Sequence, residues 1–159
     1  MKSACKWTCL VLVCISLLTS SGFASVGSKN TLYVGGTIAT LKQGTEGKCS
    51  TDDEKIFVFE AKGTKIAIPY DRINDLEYGQ KAGRRVGLAL TISPWLLLSK
   101  KRKHFLTIGY TDENDKQQAG VFELGKDIVR VTITSLEART GKKVDYQDDE
   151  ARKSGMGGE

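Results

Sequence analysis

The sequence has little of the side-chain chemistry that catalysis and metal binding require. One histidine, His104, and four cysteines occur in 159 residues, and three of those cysteines lie within the first 14. His104 and the remaining cysteine, Cys49, supply too few ligands for a closed zinc site. Cys49 also has no partner for an internal disulfide, so the domain must depend on its hydrophobic core. We interpret Cys49 as an unreactive thiol in a loop.

A long apolar run is missing as well. The two apolar stretches, Trp7–Leu18 and Val86–Ser99, have 12 and 14 residues, against the roughly 20 that a spanning helix needs. The first stretch follows two lysines and precedes the small residues Gly22 and Ala24, which is typical of a secretory signal peptide cleaved after Ala24. An uncleaved anchor is the alternative. We therefore expect export to the periplasm or the extracellular space, with possible membrane association.

Acidic residues are absent between Glu77 and Asp112, and this absence defines the main functional hypothesis. The chain has a formal net charge of +5, and losing Lys2 and Lys6 with the signal peptide leaves +3. Within the acid-free stretch, Arg84-Arg85 and Lys100–Lys103 flank the apolar residues Val86–Ser99. This concentration of positive charge in one part of the chain would attract an anionic partner, although the net charge of the whole protein is small.

The basic and apolar residues of this stretch allow three interpretations. It can attach to an anionic membrane surface, it can be buried as part of the core with solvated basic ends, or it can bind an envelope protein. Pro94 indicates two short arms rather than one continuous helix. The predicted partner surface consists of these residues: Arg84, Arg85, Trp95, Lys100, Lys101, Arg102 and Lys103.

The remaining pattern predicts short strands followed by one helix. Alternating or continuous apolar residues, interrupted by polar turns, predict six strands: Leu32–Leu41, Lys55–Ala61, Thr64–Pro69, Ile73–Tyr78, His104–Thr111 and Gln117–Leu124. Lys62-Gly63 predicts a hairpin turn and Gly35-Gly36 a bulge or sharp bend. The connection Lys42–Lys55 is predicted to be a net acidic loop.

The segment Asp127–Thr140 fits both a strand and a helix. Val129, Val131 and Ile133 alternate as in a strand, whereas Val129, Ile133 and Leu136 form a helical stripe. We favour a helix, capped by Asp127 and ended by Gly141. The acidic and then Gly/Ser-rich residues 145–159 are predicted to be a disordered tail, which leaves residues 25–144 as one domain.

The order of elements resembles a pleckstrin-homology-like domain, a partly open antiparallel barrel capped by one C-terminal helix. The sequence is also similar to small exported bacterial proteins of unknown function, in Ile68–Tyr78, Lys100–Ile108 and Glu123–Val129. The resemblance implies a mainly β fold and brings no catalytic residue. Such domains often bind lipid headgroups through a basic loop between the first two strands, but here that loop is predicted to be Lys42–Lys55, which is net acidic.

Other function classes have weak support. A nucleic-acid partner is not expected, because the chain carries an export signal and its aromatic residues are not interleaved with the basic ones. A small hydrolase using His104, with Cys49 as a conceivable nucleophile, is the least favoured alternative. No cofactor and no metal site is predicted. The sequence therefore predicts an exported, non-enzymatic binding or scaffold module of unknown oligomeric state.

Overall fold

A computed structural model describes residues 28–80 and 103–156, with side chains from residue 31 onward. Eight strands, a 3-10 turn and two helices occur in these ranges. In chain order they are β1 Ser28–Gly36, β2 Thr45–Ser50, β3 Ile56–Ala61, β4 Thr64–Pro69, the turn Tyr70–Arg72, β5 Ile73–Gly79, β6 His104–Thr111, β7 Gln117–Leu124, α1 Val129–Thr140, β8 Asp145–Tyr146 and α2 Asp149–Met156.

The strands form one open sheet in the order β4-β3-β2-β1-β7-β6-β5-β8. Neighbouring strands are antiparallel, except that the two-residue β8 runs parallel to β5. Two antiparallel meanders, β1–β4 and β5–β7, are joined by the pairing of β1 with β7. The predicted class, mainly β with a helix near the C-terminus, is confirmed.

Several predicted elements are confirmed almost residue by residue. The bounds of β6 and β7 agree with the prediction, and Lys62 and Gly63 form the β3–β4 turn with φ of 44° and 83°. Such positive φ values are accessible to glycine and costly for most other residues. The predicted irregularity at Gly35-Gly36 is present as a shift of the β1–β7 register between Tyr33 and Gly35.

The prediction of a loop from Lys42 to Lys55 is wrong, because it contains β2. Glu46 and Lys48 are exposed and Gly47 is half-buried, so the local composition resembles a turn. Pairing with both β1 and β3 holds this segment in the sheet. Cys49 is consequently a buried strand residue, 2% exposed, and not a loop thiol.

One face of the sheet carries the main core. Phe122 lies at its centre, with ring centroids 5.7 Å from Tyr33, 5.6 Å from Phe57 and 5.2 Å from Phe59. Alternate residues of β5 and β6 also point to this side. The helix α1 covers the same face with Ile133 and other buried residues, which belong to the core cluster.

The opposite face of the β5-β6-β7 sheet, here called the outer face, is also buried. Its side chains are identified by the register, since directly paired residues of antiparallel strands share a face. The paired positions are Gly79 with Phe105, Glu77 with Thr107, Thr107 with Val121, Phe105 with Glu123, and Gly109 with Ala119. None of these residues belongs to the core cluster.

Helix α1 confirms the choice of a helix over a strand, and Gly141 ends it in the left-handed conformation with φ 69°. The predicted cap at Asp127 is wrong. Ile128 occupies the cap position without a side-chain hydrogen bond, and its N–H donates to the carbonyl oxygen of Gly125 at 3.1 Å. A backbone turn therefore starts the helix, and it takes the place of a capping side chain.

In place of the disorder predicted for residues 145–159, the structure has β8 and α2 between residues 145 and 156. Asp148 accepts a hydrogen bond from the N–H of Ala151 at 2.7 Å and caps α2. Ala151 is fully buried, and the ring of Tyr146 packs edge-on against Tyr78 at 5.9 Å. These tertiary contacts order a segment whose composition alone indicates disorder.

Candidate functional site at the ends of β5 and β6

The basic stretch leaves and rejoins the described part of the chain at one end of the sheet. Gly79, the last residue of β5, pairs with Phe105, the second residue of β6. Arg84 follows Gly79 by five residues and Lys100 precedes His104 by four, so their backbones lie within about 18 Å and about 14 Å of these strand ends. Both basic clusters are thus limited by chain length to the surroundings of these paired strand ends.

Of the predicted partner surface, only Lys103 falls within the described residues. Its Nζ lies 2.8 Å from Oε2 of Glu123 on β7, and the two side chains are 23% and 22% exposed. An ion pair this accessible contributes at most about 1 kcal/mol. The other predicted residues lie outside the described residues: Arg84, Arg85, Trp95, Lys100, Lys101 and Arg102.

A hydrogen-bonded row of three side chains lies where the stretch rejoins the sheet. The Tyr78 hydroxyl is 2.5 Å from Nδ1 of His104 and 3.1 Å from Oγ of Ser154 on α2. Ser154 donates to the carbonyl oxygen of Ala151 at 2.9 Å. The tautomer of His104 decides which atom donates in its contact with Tyr78, and either hydroxyl can donate in the contact between Tyr78 and Ser154. This row connects α2 to the ends of β5 and β6.

The local environment favours the uncharged forms of both rings. Burial lowers the pKa of His104, and the nearby Lys126 lowers it further, while Glu123 acts in the opposite direction. Burial also raises the pKa of Tyr78, although the hydrogen bond with Ser154 opposes that shift. The sequence marks His104 as the sole histidine and as the candidate residue of the least favoured alternative, a small hydrolase. Its partners Tyr78 and Ser154 lie 26 and 50 positions away along the chain, and no local pattern connects them.

The sequence also did not single out Glu77, which is buried on the outer face and 2% exposed. Gln147, which follows β8, donates from Nε2 to Oε1 of Glu77 at 2.9 Å. Oε2 of Glu77 has no hydrogen-bond partner in the described part of the chain. A buried carboxylate oxygen in that condition is unusual and calls for an explanation.

Replacing Gly79 by alanine is expected to break the bond between Gln147 and Glu77. A Cβ at position 79 would overlap Cδ and Oε1 of Gln147, so the Gln147 side chain must shift from its position beside Glu77. Removing one partner of a buried polar group costs about 1–3 kcal/mol. Urea unfolding of Gly79→Ala is expected to show a loss of this size. In a Gln147→Ala background, Gly79→Ala should lower the free energy of unfolding much less than it does in the unaltered protein. If the losses of the two single variants simply added up in the double variant, this explanation would be contradicted.

The remaining sequence-based candidates are not brought together. Cys49 accepts a hydrogen bond from Thr31 at 3.2 Å, and burial raises the pKa of its thiol. His104 Nδ1 instead contacts Tyr78. The connection between β1 and β2 covers residues 37–44 and has Lys42 as its only charged residue. This connection thus carries one basic residue and is not net acidic.

Within residues 28–80 and 103–156, no three histidine, cysteine, aspartate or glutamate side chains are grouped so as to hold a metal ion. In the same ranges no helix is long and apolar enough to cross a membrane. No known protein family matches the chain, and no curated protein is similar to it in sequence.

Proposed function

We propose that this protein is an exported, non-enzymatic binding module that attaches to anionic membrane surfaces in the periplasm or outside the cell. Its fold would be a pleckstrin-homology-like, partly open barrel. Seven antiparallel strands followed by α1, which adds Ile133 and Leu136 to the core, support that assignment. Attachment would use Arg84, Arg85, Trp95, Lys100, Lys101, Arg102 and Lys103.

One observation supports the proposal: the pairing of Gly79 with Phe105 brings together the two strand ends from which the basic stretch departs and to which it returns. A flat anionic surface can then face both clusters at once. Each basic residue near such a surface contributes about 1 kcal/mol. Lys103 contributes less than the others, because Glu123 already offsets its charge. Several such residues suffice for reversible attachment without a spanning helix.

Sedimentation with vesicles tests this proposal. Residues 25–159, which include every described element, are mixed with vesicles of neutral lipid alone or of neutral and anionic lipid, at low and high salt. We expect binding to anionic vesicles only, weakened by salt because ions screen exposed charges. Equal binding to both vesicle types, or no binding at low salt, would contradict the proposal.

A second candidate is an interaction domain of the cell envelope in which the apolar stretch is buried. The specific observation in its favour is the buried outer face, which includes Phe105, Ala119 and Val121 although the core lies on the other side of the sheet. In that case vesicle binding is absent and the protein is retained by an envelope protein. The vesicle experiment therefore separates the two candidates before any partner is sought.

A further inference from the structure

The outer face consists largely of side chains that water does not reach. Ala119 and Val121 are fully buried, Phe105 is 4% exposed, and Thr107 and Glu77 are each 2% exposed. Val34 on β1 is also fully buried and stands outside the core cluster. An apolar face of this size is rarely left open in a soluble domain. Since the core covers only the opposite face, other groups must cover this one.

An apolar segment of the same chain is connected at both ends to strands of this face. It passes beyond the described residues after Gln80 and returns at Lys103, next to the ends of the two strands that carry Glu77 and Phe105. The 22 residues between them include the apolar stretch Val86–Ser99. No other segment begins and ends so close to the outer face among the connections that the structure describes.

The returning end of this segment is already fastened to the outer face. Lys103 pairs at 2.8 Å with Glu123, and Glu123 shares the outer face with Phe105 through their direct pairing. The side chain of Lys103, the first described residue after the segment, therefore lies on the outer side of the sheet.

The length of the segment also matches the face. Strands lie about 4.8 Å apart, so β5, β6, β7 and β1 together span about 14 Å between their axes. Fourteen residues cover that distance in any regular conformation, and eight residues in all remain to connect them to Gln80 and Lys103. The segment also carries hydrogen-bond donors in Thr91, Ser93 and Trp95, and a donor is what Oε2 of Glu77 lacks.

We propose that the apolar stretch Val86–Ser99 of the same chain packs against the outer face of the β5-β6-β7 sheet. The domain is then a sheet with apolar layers on both sides, α1 on one and this stretch on the other. Packing of this stretch would withdraw Trp95 from the proposed attachment surface, and the attachment would then use the basic residues alone. The inference holds or fails independently of that attachment, because its test uses no vesicles.

Trp95 reports directly on this packing, because it is the only tryptophan of residues 25–159. Its fluorescence emission and its quenching by acrylamide are measured in buffer, for the folded chain and for the chain unfolded in urea. We expect folded-state emission at shorter wavelength and severalfold weaker quenching than in urea. Emission and quenching that match the unfolded chain would overturn the proposal.

A substitution on the outer face identifies where Trp95 packs. Val121→Ser is expected to move the Trp95 emission to longer wavelength and to increase quenching. Val131→Ser is the matched control, because Val131 lies 48% exposed on α1, and it should change neither quantity. Should Val121→Ser fail to fold by circular dichroism, Val121→Ala replaces it. The proposal would be overturned if a folded Val121 variant left both the Trp95 emission and its quenching unchanged.

A second copy of the chain could also cover the outer face. Dilution distinguishes this dimer from packing within one chain. Sedimentation velocity and Trp95 emission are followed over a hundredfold range of protein concentration. The proposal requires a monomer whose emission does not change on dilution. Emission that moves to longer wavelength as a dimer dissociates would assign the face to the second copy and overturn the proposal.

Discussion

Replacing Phe122 by alanine is expected to lower the free energy of unfolding by about 3–5 kcal/mol. Phe122 is fully buried and its ring contacts those of Tyr33, Phe57 and Phe59. These three residues come from β1 and β3, whereas Phe122 lies on β7. Its loss therefore leaves a cavity at the junction of the two meanders, where no flexible surface chain can fill it. Urea unfolding followed by circular dichroism measures the change.

The matched control is Val131→Ala, at a residue of α1 that is 48% exposed. A substitution at such a surface position is expected to change stability by less than about 0.5 kcal/mol. If Phe122→Ala cost no more than this control, the aromatic cluster would not be the centre of the core. The comparison thus tests the packing that brings the two meanders together.

The second large effect concerns the basic clusters. Replacing Arg84, Arg85, Lys100 and Lys101 together by glutamine is expected to weaken binding to anionic vesicles roughly a thousandfold. The estimate takes about 1 kcal/mol for each basic residue near the surface and about 1.4 kcal/mol for each factor of ten. Vesicle titration at low salt measures the loss, and the melting temperature should be retained.

An equal change of charge elsewhere is the control for that variant. Lys42, Lys48, Lys65 and Lys116 are exposed, and none of them lies in the connection between β5 and β6. Replacing these four lysines by glutamine should reduce binding far less. Equal losses in the two variants would mean that only net charge matters, and the convergence of the two clusters at one strand end would have no functional meaning.

The elements that were correctly predicted are those with strong local signals. Alternating apolar residues marked β6 and β7, and Lys62-Gly63 marked a turn that few other pairs accommodate. Helix α1 was preferred over a strand because Gly141 and the helix formers before it outweighed the β-branched residues. In each case the structure is set by residues that are close together in the chain, so a local sequence pattern can predict it.

The elements that were missed depend on distant partners. Strand β2 contains a glycine and two charged residues among its six, and it is a strand because β1 and β3 pair with its two edges. Helix α2 also depends on distant residues, because the burial of Ala151 and the contact of Tyr146 with Tyr78 order this part of the chain. Weak local preference leaves such segments undetermined until the rest of the sheet has formed.

The functional residues divide in the same way. By itself the sequence determined the mainly β class, most strand positions and the two basic clusters with the apolar stretch between them, because these follow from local pattern and charge. Only the tertiary structure decided that the strands on either side of the basic stretch are paired at their ends, that Tyr78 and Ser154 join His104, and that Glu77 is buried on a second apolar face. These facts follow from strand register, which pairs residues far apart in the chain and leaves no local trace in the sequence.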